Sequence, residues 1–80
     1  MSNERTAAAL EAQLRERYGL LLTPSQLAEL LARTPAGVRW SLHHPSDAQT
    51  VALRACARRI GRRLYFPVAE VAAIVAGVAR

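Results

Sequence analysis

The sequence predicts a mostly helical domain carrying one small β-hairpin, and three observations lead there. Apolar residues recur at helical spacing in four separate runs, roughly over 5–18, 23–33, 35–44 and 67–78. The dipeptide Thr-Pro occurs twice, eleven residues apart, at Thr23-Pro24 and Thr34-Pro35, each time where an apolar run begins. The stretch "ARRIGRRLYF", residues 57–66, sets Ile60, Leu64 and Phe66 among arginines around a central glycine, the pattern of a hairpin. The 80 residues make one domain, and a chain of this size buries roughly 60% of its unfolded surface.

The first helix, 5–18, carries Ala7, Leu10, Leu14 and Tyr18 as one apolar stripe, with Glu11 and Arg15 as an i,i+4 pair and Gly19 as the stop. Its stripe is narrow, so it lies on the domain or on a partner. In the second helix Thr23 is the N-cap, Pro24 suits the first helical position and Gln26 completes a capping box. Leu27, Leu30 and Leu31 then form its buried face, with Ala28 beside them, and the run ends near Arg33. Thr34 and Pro35 repeat the device for a third helix, whose inner side holds Val38 and Leu42 and which Pro45 stops. Two capped helices joined by a turn of two or three residues form a helix-turn-helix over 23–44. The small Ala28 and the branched Val38, ten positions later, suit the crossing of its two helices. Ala32 stands at the turn position where glycine is common.

Ser46 is a candidate cap for a short helix over 47–55. For the hairpin over 57–66, a two-residue Gly61-Arg62 turn would put Ile60 opposite Arg63 and split the apolar face. A three-residue loop, Gly61–Arg63, puts Ile60 opposite Leu64 and Arg58 opposite Phe66, and the register argument favours it. Pro67 opens the last helix, 67–78, with Val68, Val71, Ala72, Val75 and Val78 on one face and Ile74 and alanines over much of the rest. A helix apolar on nearly every side is buried on more than one side. The first helix or a second subunit must cover it.

Charge is unevenly placed. The chain carries +5 overall, and all eleven of its basic side chains are arginine. Residues 31–66 hold Arg33, Arg39, Arg54, Arg58, Arg59, Arg62 and Arg63 against Asp47 alone, whereas the flanking segments are close to neutral. A basic middle between neutral ends points to a localised anion-binding surface. Catalytic and metal chemistry are not expected. Adjacent His43 and His44 point about 100° apart on a helix, and no second Cys or His stands at ligand spacing. Ser41 and Asp47 come with no nucleophile elbow or phosphate loop. No enzyme activity, cofactor or metal is therefore expected. Cys56 is the single cysteine, which fits a reducing cytoplasm. The N-terminal stretch is broken by charge too early for a signal peptide, and the apolar C-terminal run is too short to cross a bilayer.

Helix-turn-helix, basic hairpin with Ile60-Gly61-Arg62-Arg63, then a Pro67-started apolar helix: in this order the chain resembles the winged helix-turn-helix DNA-binding domains of the excisionase and MerR-like group. The strings "LTPSQLAELLARTPAGVRWSL" and "RRIGRRLYFPVAEVAAIV" carry the likeness and cover most of residues 21–76. The N-terminal helix and the 45–56 insertion are unmatched. The resemblance implies a recognition helix in the major groove and a wing on the minor groove or backbone. It also places Arg39-Trp40 where the MerR-like pattern has an Arg-Tyr pair that grips DNA. Its small phage and plasmid members include excisionases (recombination directionality factors) and compact transcriptional regulators, many of which bind repeated sites and bend DNA.

The residues point the same way. On the third helix Thr34, Ala36, Gly37, Arg39, Trp40 and His43 are the expected DNA contacts. Pro35, Ala36 and Gly37 start a helix without bulk, so its free N–H groups can approach a phosphate, and Arg39 can pair with guanine or phosphate. Two alternatives stand beside these: Gly37 as a site of close helix packing, and Trp40 as a core residue with its N–H tied down. On the wing the expected contacts are Arg58, Arg59, Arg62 and Arg63, chiefly to phosphates. The expected partners are double-stranded DNA, a second copy in a homodimer or cooperative oligomer, and an integrase, with no membrane. The expected location is cytoplasmic, on the nucleoid. The expected function is that of an excisionase that also regulates transcription, with a dedicated repressor or activator as the variant. The competing reading from another class is a protein-interaction module that works through the apolar terminal helices.

Overall fold

A computed structural model describes residues 3–77 and gives five helices and three short strands among them. In chain order these are α1 (Asn3–Tyr18), β1 (Leu21–Leu22), α2 (Pro24–Leu30), α3 (Pro35–His43), α4 (Ala48–Cys56), β2 (Arg58–Ile60), β3 (Arg63–Pro67) and α5 (Val68–Ala76). The molecule is thus mostly helical, with a small antiparallel sheet of order β1-β3-β2.

Local chemistry fixes the helix starts. The Thr23 hydroxyl accepts from the Gln26 N–H at 3.2 Å while the Gln26 side chain accepts from the Thr23 N–H at 3.0 Å, so both halves of the capping box are made. Thr34 repeats the first half, accepting from the Gly37 N–H at 3.0 Å. Between these helices α2 ends at Leu30, earlier than the apolar run suggests, and the turn is longer than two or three residues. The chain reverses through Ala32, whose φ is +57°. Around it the Arg33 N–H donates to the Ala28 carbonyl at 2.8 Å and the Ala32 N–H donates to Glu29 at 3.1 Å. This pair of bonds is the Schellman arrangement, with alanine in the position that glycine usually takes. Asp47, not Ser46, caps α4: its carboxylate accepts from the Thr50 N–H at 3.2 Å, and the helix runs one residue later than 47–55. An aspartate one position nearer the helix offers the same acceptor plus a negative charge at the helix start.

The hairpin corrects the expected register. Ile60 lies opposite Arg63, Arg59 opposite Leu64 and Arg58 opposite Tyr65, so the loop is the two-residue Gly61-Arg62 turn and not Gly61–Arg63. Gly61 has φ +64° and Arg62 is not among the residues of positive φ, the pattern of a turn with glycine at its first central position. The argument for the longer loop required β2 to complete an apolar face with β3. That face is completed from the other side instead. Leu22 of β1 pairs with Phe66 and Leu21 pairs with Pro67, and both Leu22 and Phe66 are fully buried. Ile60 is left 55% exposed.

One core joins every layer. Leu14 of α1, Leu22, Leu27 and Ala28 of α2, Val38 of α3, Leu53 and Cys56 of α4, Phe66, and Val68, Val71 and Ala72 of α5 form a single buried cluster. The cover over α5 comes from the same chain: α1 lies along it, with Leu10 and Tyr18 packed on the cluster beside Leu14. Pro67 is the N-cap of α5 rather than its first residue, and the helix closes through Gly77 at φ +80°. Val78, expected on the apolar face, lies outside the described residues. No helix among the described residues is long and apolar enough to cross a membrane.

Candidate nucleic-acid interface

Placing Val38 in the core and Leu42 partly buried beneath α3 decides what the rest of that helix shows. At 100° per residue, Arg39 and His43 share one flank of its outer surface, Ala36 and Trp40 lie at its centre and Gly37 and His44 occupy the other flank. Arg39, Trp40, His43 and Ala36 are all exposed.

The Arg39 flank meets the hairpin. One recess is lined by Arg39, Leu42 and His43 of α3, Arg54 of α4, Ala57, and Arg59 and Leu64 of the hairpin. A second lies beside it, lined by Thr23, Pro24 and Ser25 at the start of α2 together with Arg39, Arg63 and Leu64. Arg39 and Leu64 border both. Neither lining includes a carboxylate. Asp47, the one acid of the basic stretch, is engaged in capping α4, and its hydrogen bonds to Thr50 hold its carboxyl below the usual range. The ion pairs Arg15–Glu11 and Arg17–Glu29 both involve α1 instead. Among the described residues, Arg39, Arg54, Arg59, Arg62 and Arg63 make no salt bridge.

Of the expected wing residues, Arg59 and Arg63 therefore join α3, and Arg62 stands exposed in the turn. Arg58 does not join them. It lies in a separate recess with Cys56, Glu70 and Ile74, because alternation along β2 turns it to the face opposite Arg59. Its guanidinium donates to the carbonyls of Ala55 at 3.3 Å and Ala57 at 3.1 Å, which closes the C-terminal end of α4. Arg54 is the converse case: it belongs to the basic stretch but not to the expected DNA contacts, yet α4 carries it to the flank of α3.

The two alternatives at α3 are resolved by geometry. Trp40 is not a core residue, being 63% exposed and stacked on His44 with ring centroids 4.6 Å apart and planes 22° from parallel. The His44 backbone N–H donates to the Trp40 carbonyl at 3.0 Å, and the His44 Nδ1 sits 3.1 Å from the same oxygen, which ties the imidazole to the end of the helix. Gly37 packs on no neighbouring helix: an added Cβ would meet the Thr34 hydroxyl at 3.0 Å. Its lack of a side chain protects the cap, and Thr34 serves α3 through that hydrogen bond.

Cys56 is buried, its thiol donates to the Leu53 carbonyl at 3.2 Å, and burial pushes its pKa up. No group of three or more His, Cys, Asp or Glu among the described residues is placed to hold a metal. Searches against protein-family models, curated proteins and solved structures found no match to the chain.

Proposed function

We propose that this chain is a sequence-specific double-stranded DNA-binding protein of winged helix-turn-helix type. In this reading α3 is the recognition helix, the β2–β3 hairpin is the wing, β1 is the third strand of the wing sheet and α4 is an insertion between them. The observation that carries it is the convergence of Arg39 and His43 from α3 with Arg59 and Arg63 from the hairpin. Arg39 borders two adjoining recesses, one lined also by His43 and Arg59 and the other by Arg63, and neither is lined by an acid. A duplex supplies phosphates along both the groove that admits α3 and the strand beside it, so cations on two elements can be neutralised together. Trp40 and Ala36, at the exposed centre of α3, and His43 beside them on its flank, are the side chains that reach base edges, and Arg39 stands between bases and backbone.

Within that reading the biological role is excision. The protein acts as a recombination directionality factor beside an integrase, in the cytoplasm on the chromosome, and also regulates transcription. The likeness of residues 22–42 and 58–75 to excisionases supports this step. A dedicated repressor or activator would use the same surface and differ in needing no integrase.

The test is a salt titration with a random duplex, followed by selection of a specific site. A DNA-binding protein loses affinity along a log–log slope of about −3 or steeper, and binds its selected site at least about a thousandfold more tightly than random duplex. A protein-interaction module shows no salt-dependent duplex affinity, and that result overturns the reading. Adding the protein to an integrase reaction on paired attachment sites then separates excision from regulation alone.

A further inference from the structure

We infer that the recess between α3, α4 and the hairpin holds one backbone phosphate of the duplex, with Arg54 of α4 as one of its clamping groups. The inference rests on the DNA-binding reading above and assigns α4 a part in it. Arg54 is in the last turn of α4, exposed, one residue past the buried Leu53. This places it at the rim of the recess with Arg39, His43 and Arg59, over an apolar floor of Leu42, Ala57 and Leu64. Three arginines from three different elements thus line one opening that no carboxylate lines. Bringing three like charges together is unfavourable unless an anion joins them, and planar guanidinium forks match the oxygens of a phosphate. The floor suits the ligand as well. A free phosphate would gain nothing from Leu42 and Leu64, whereas the deoxyribose on either side of a backbone phosphate presents carbon to them. Such a contact reads no base. It fixes how far the recognition helix turns and slides in the groove.

A cation near a helix C-terminus also stabilises that helix through the dipole, and this is the ordinary role for Arg54 that the experiment must separate. Arg54→Gln keeps helix propensity close to that of arginine. The expected result is a loss of about five- to tenfold in affinity, equal for the selected site and for random duplex. The log–log salt slope should fall by about one, with the melting temperature of the free protein unchanged. Arg54→Lys retains the charge and restores most of the slope. Scanning single methylphosphonate linkages along the selected site should reveal one position that weakens the wild type clearly more than it weakens Arg54→Gln. An unchanged affinity and slope in Arg54→Gln, with wild-type salt-dependent binding intact, overturns the inference and leaves the DNA-binding reading standing. A loss confined to the selected site overturns it too, because Arg54 would then read a base. Chemical-shift changes around the recess with millimolar inorganic phosphate, in a protein whose duplex affinity ignores Arg54, would assign it to a small anion instead. Absence of any duplex binding by the wild type removes the reading and the inference together.

Discussion

Alanine at position 32 adopts a backbone conformation that side chains disfavour, with φ +57° in the turn between α2 and α3. The left-handed region costs a non-glycine residue about 1–2 kcal/mol, offset in part by the extra unfolded-state entropy that glycine would bring. Ala32→Gly should therefore raise stability by about 1 kcal/mol without altering DNA binding, as read from denaturant melts and a duplex titration. A drop in stability would mean that the Ala32 methyl contributes more than its backbone strain costs. Arg39 is the residue whose position differs most in consequence from its neighbours, since it borders both recesses. Arg39→Ala should cost about 1–3 kcal/mol at the selected site and a smaller amount on random duplex, where only its share of the phosphate contact is lost. Equal losses on both would make Arg39 a phosphate clamp and leave base reading to Ala36, Trp40 and His43. What made these residues legible in the sequence is that a cap is local. Thr34 and Pro35 fix where α3 begins, and Val38 and Leu42 fix which side is hidden, so the exposed flank follows by rotation. Trp40 is ambiguous in the sequence because an indole suits a core and a surface equally, and its exposure and stack on His44 decide it.

At the scale of elements, the hairpin register is hidden in the sequence for one physical reason: β1 is two residues long and carries no strand pattern of its own. Without a partner in β1, the apolar residues of β3 pair best with Ile60 of β2, which favours the longer loop and an inward Ile60. The pairing of Leu22 with Phe66 removes that need, and the glycine-led turn then sets the register. The consequence for the hairpin is that its arginines divide between two places, Arg59 and Arg63 beside α3 and Arg58 at the end of α4. Arg62→Ala with Arg63→Ala should weaken specific and random binding alike and lower the salt slope by about two, while Arg58→Ala should leave the slope alone and lower the melting temperature through the freed carbonyls of Ala55 and Ala57. If Arg58 moved the slope as far as the pair, its role at the end of α4 would not be its main one. A second element-level device joins α1 to α2. The Tyr18 hydroxyl donates to the Glu29 carboxylate at 2.6 Å, with Arg17 also donating to it at 3.3 Å. The bond from Tyr18 holds the Glu29 carboxyl below its usual range and raises the phenol. A carboxyl lowered on folding stabilises above its unfolded pKa and loses that contribution as pH falls through the folded value. The melting temperature should thus decline below about pH 4.5, and by less in Tyr18→Phe than in the wild type. Parallel acid profiles for the two proteins would show that this clasp adds nothing measurable.

For the whole molecule, the sequence posed a question about α5 that the fold answers from within. An apolar helix needed cover from α1 or from another copy, and α1 supplies it, leaving Val75 41% exposed as the residual apolar position on the helix. A stable dimer in solution is therefore not required to hide α5. If the chain binds DNA as proposed, the need for a second copy comes from DNA instead, because one recognition helix reads too few base pairs to find a site in a genome. The longest dimension of the molecule is 36 Å, close to the roughly 34–36 Å of one helical turn of duplex. Copies on sites about 10–10.5 base pairs apart would then present the same face to the same side of DNA and stand close enough to touch. We expect weak self-association of the free protein and cooperative binding to paired sites one turn apart. Inserting five base pairs between the sites, which rotates one copy to the opposite side, should abolish the cooperativity while leaving the affinity for each single site unchanged. Val75→Glu should reduce it as well if α5 forms the contact, since a carboxylate would have to be desolvated where a valine now offers about 25 cal/mol per Å² of buried area. Non-cooperative binding at every spacing, by a protein that sediments as a monomer at tens of micromolar, would rule out assembly on DNA and require one copy to achieve specificity alone.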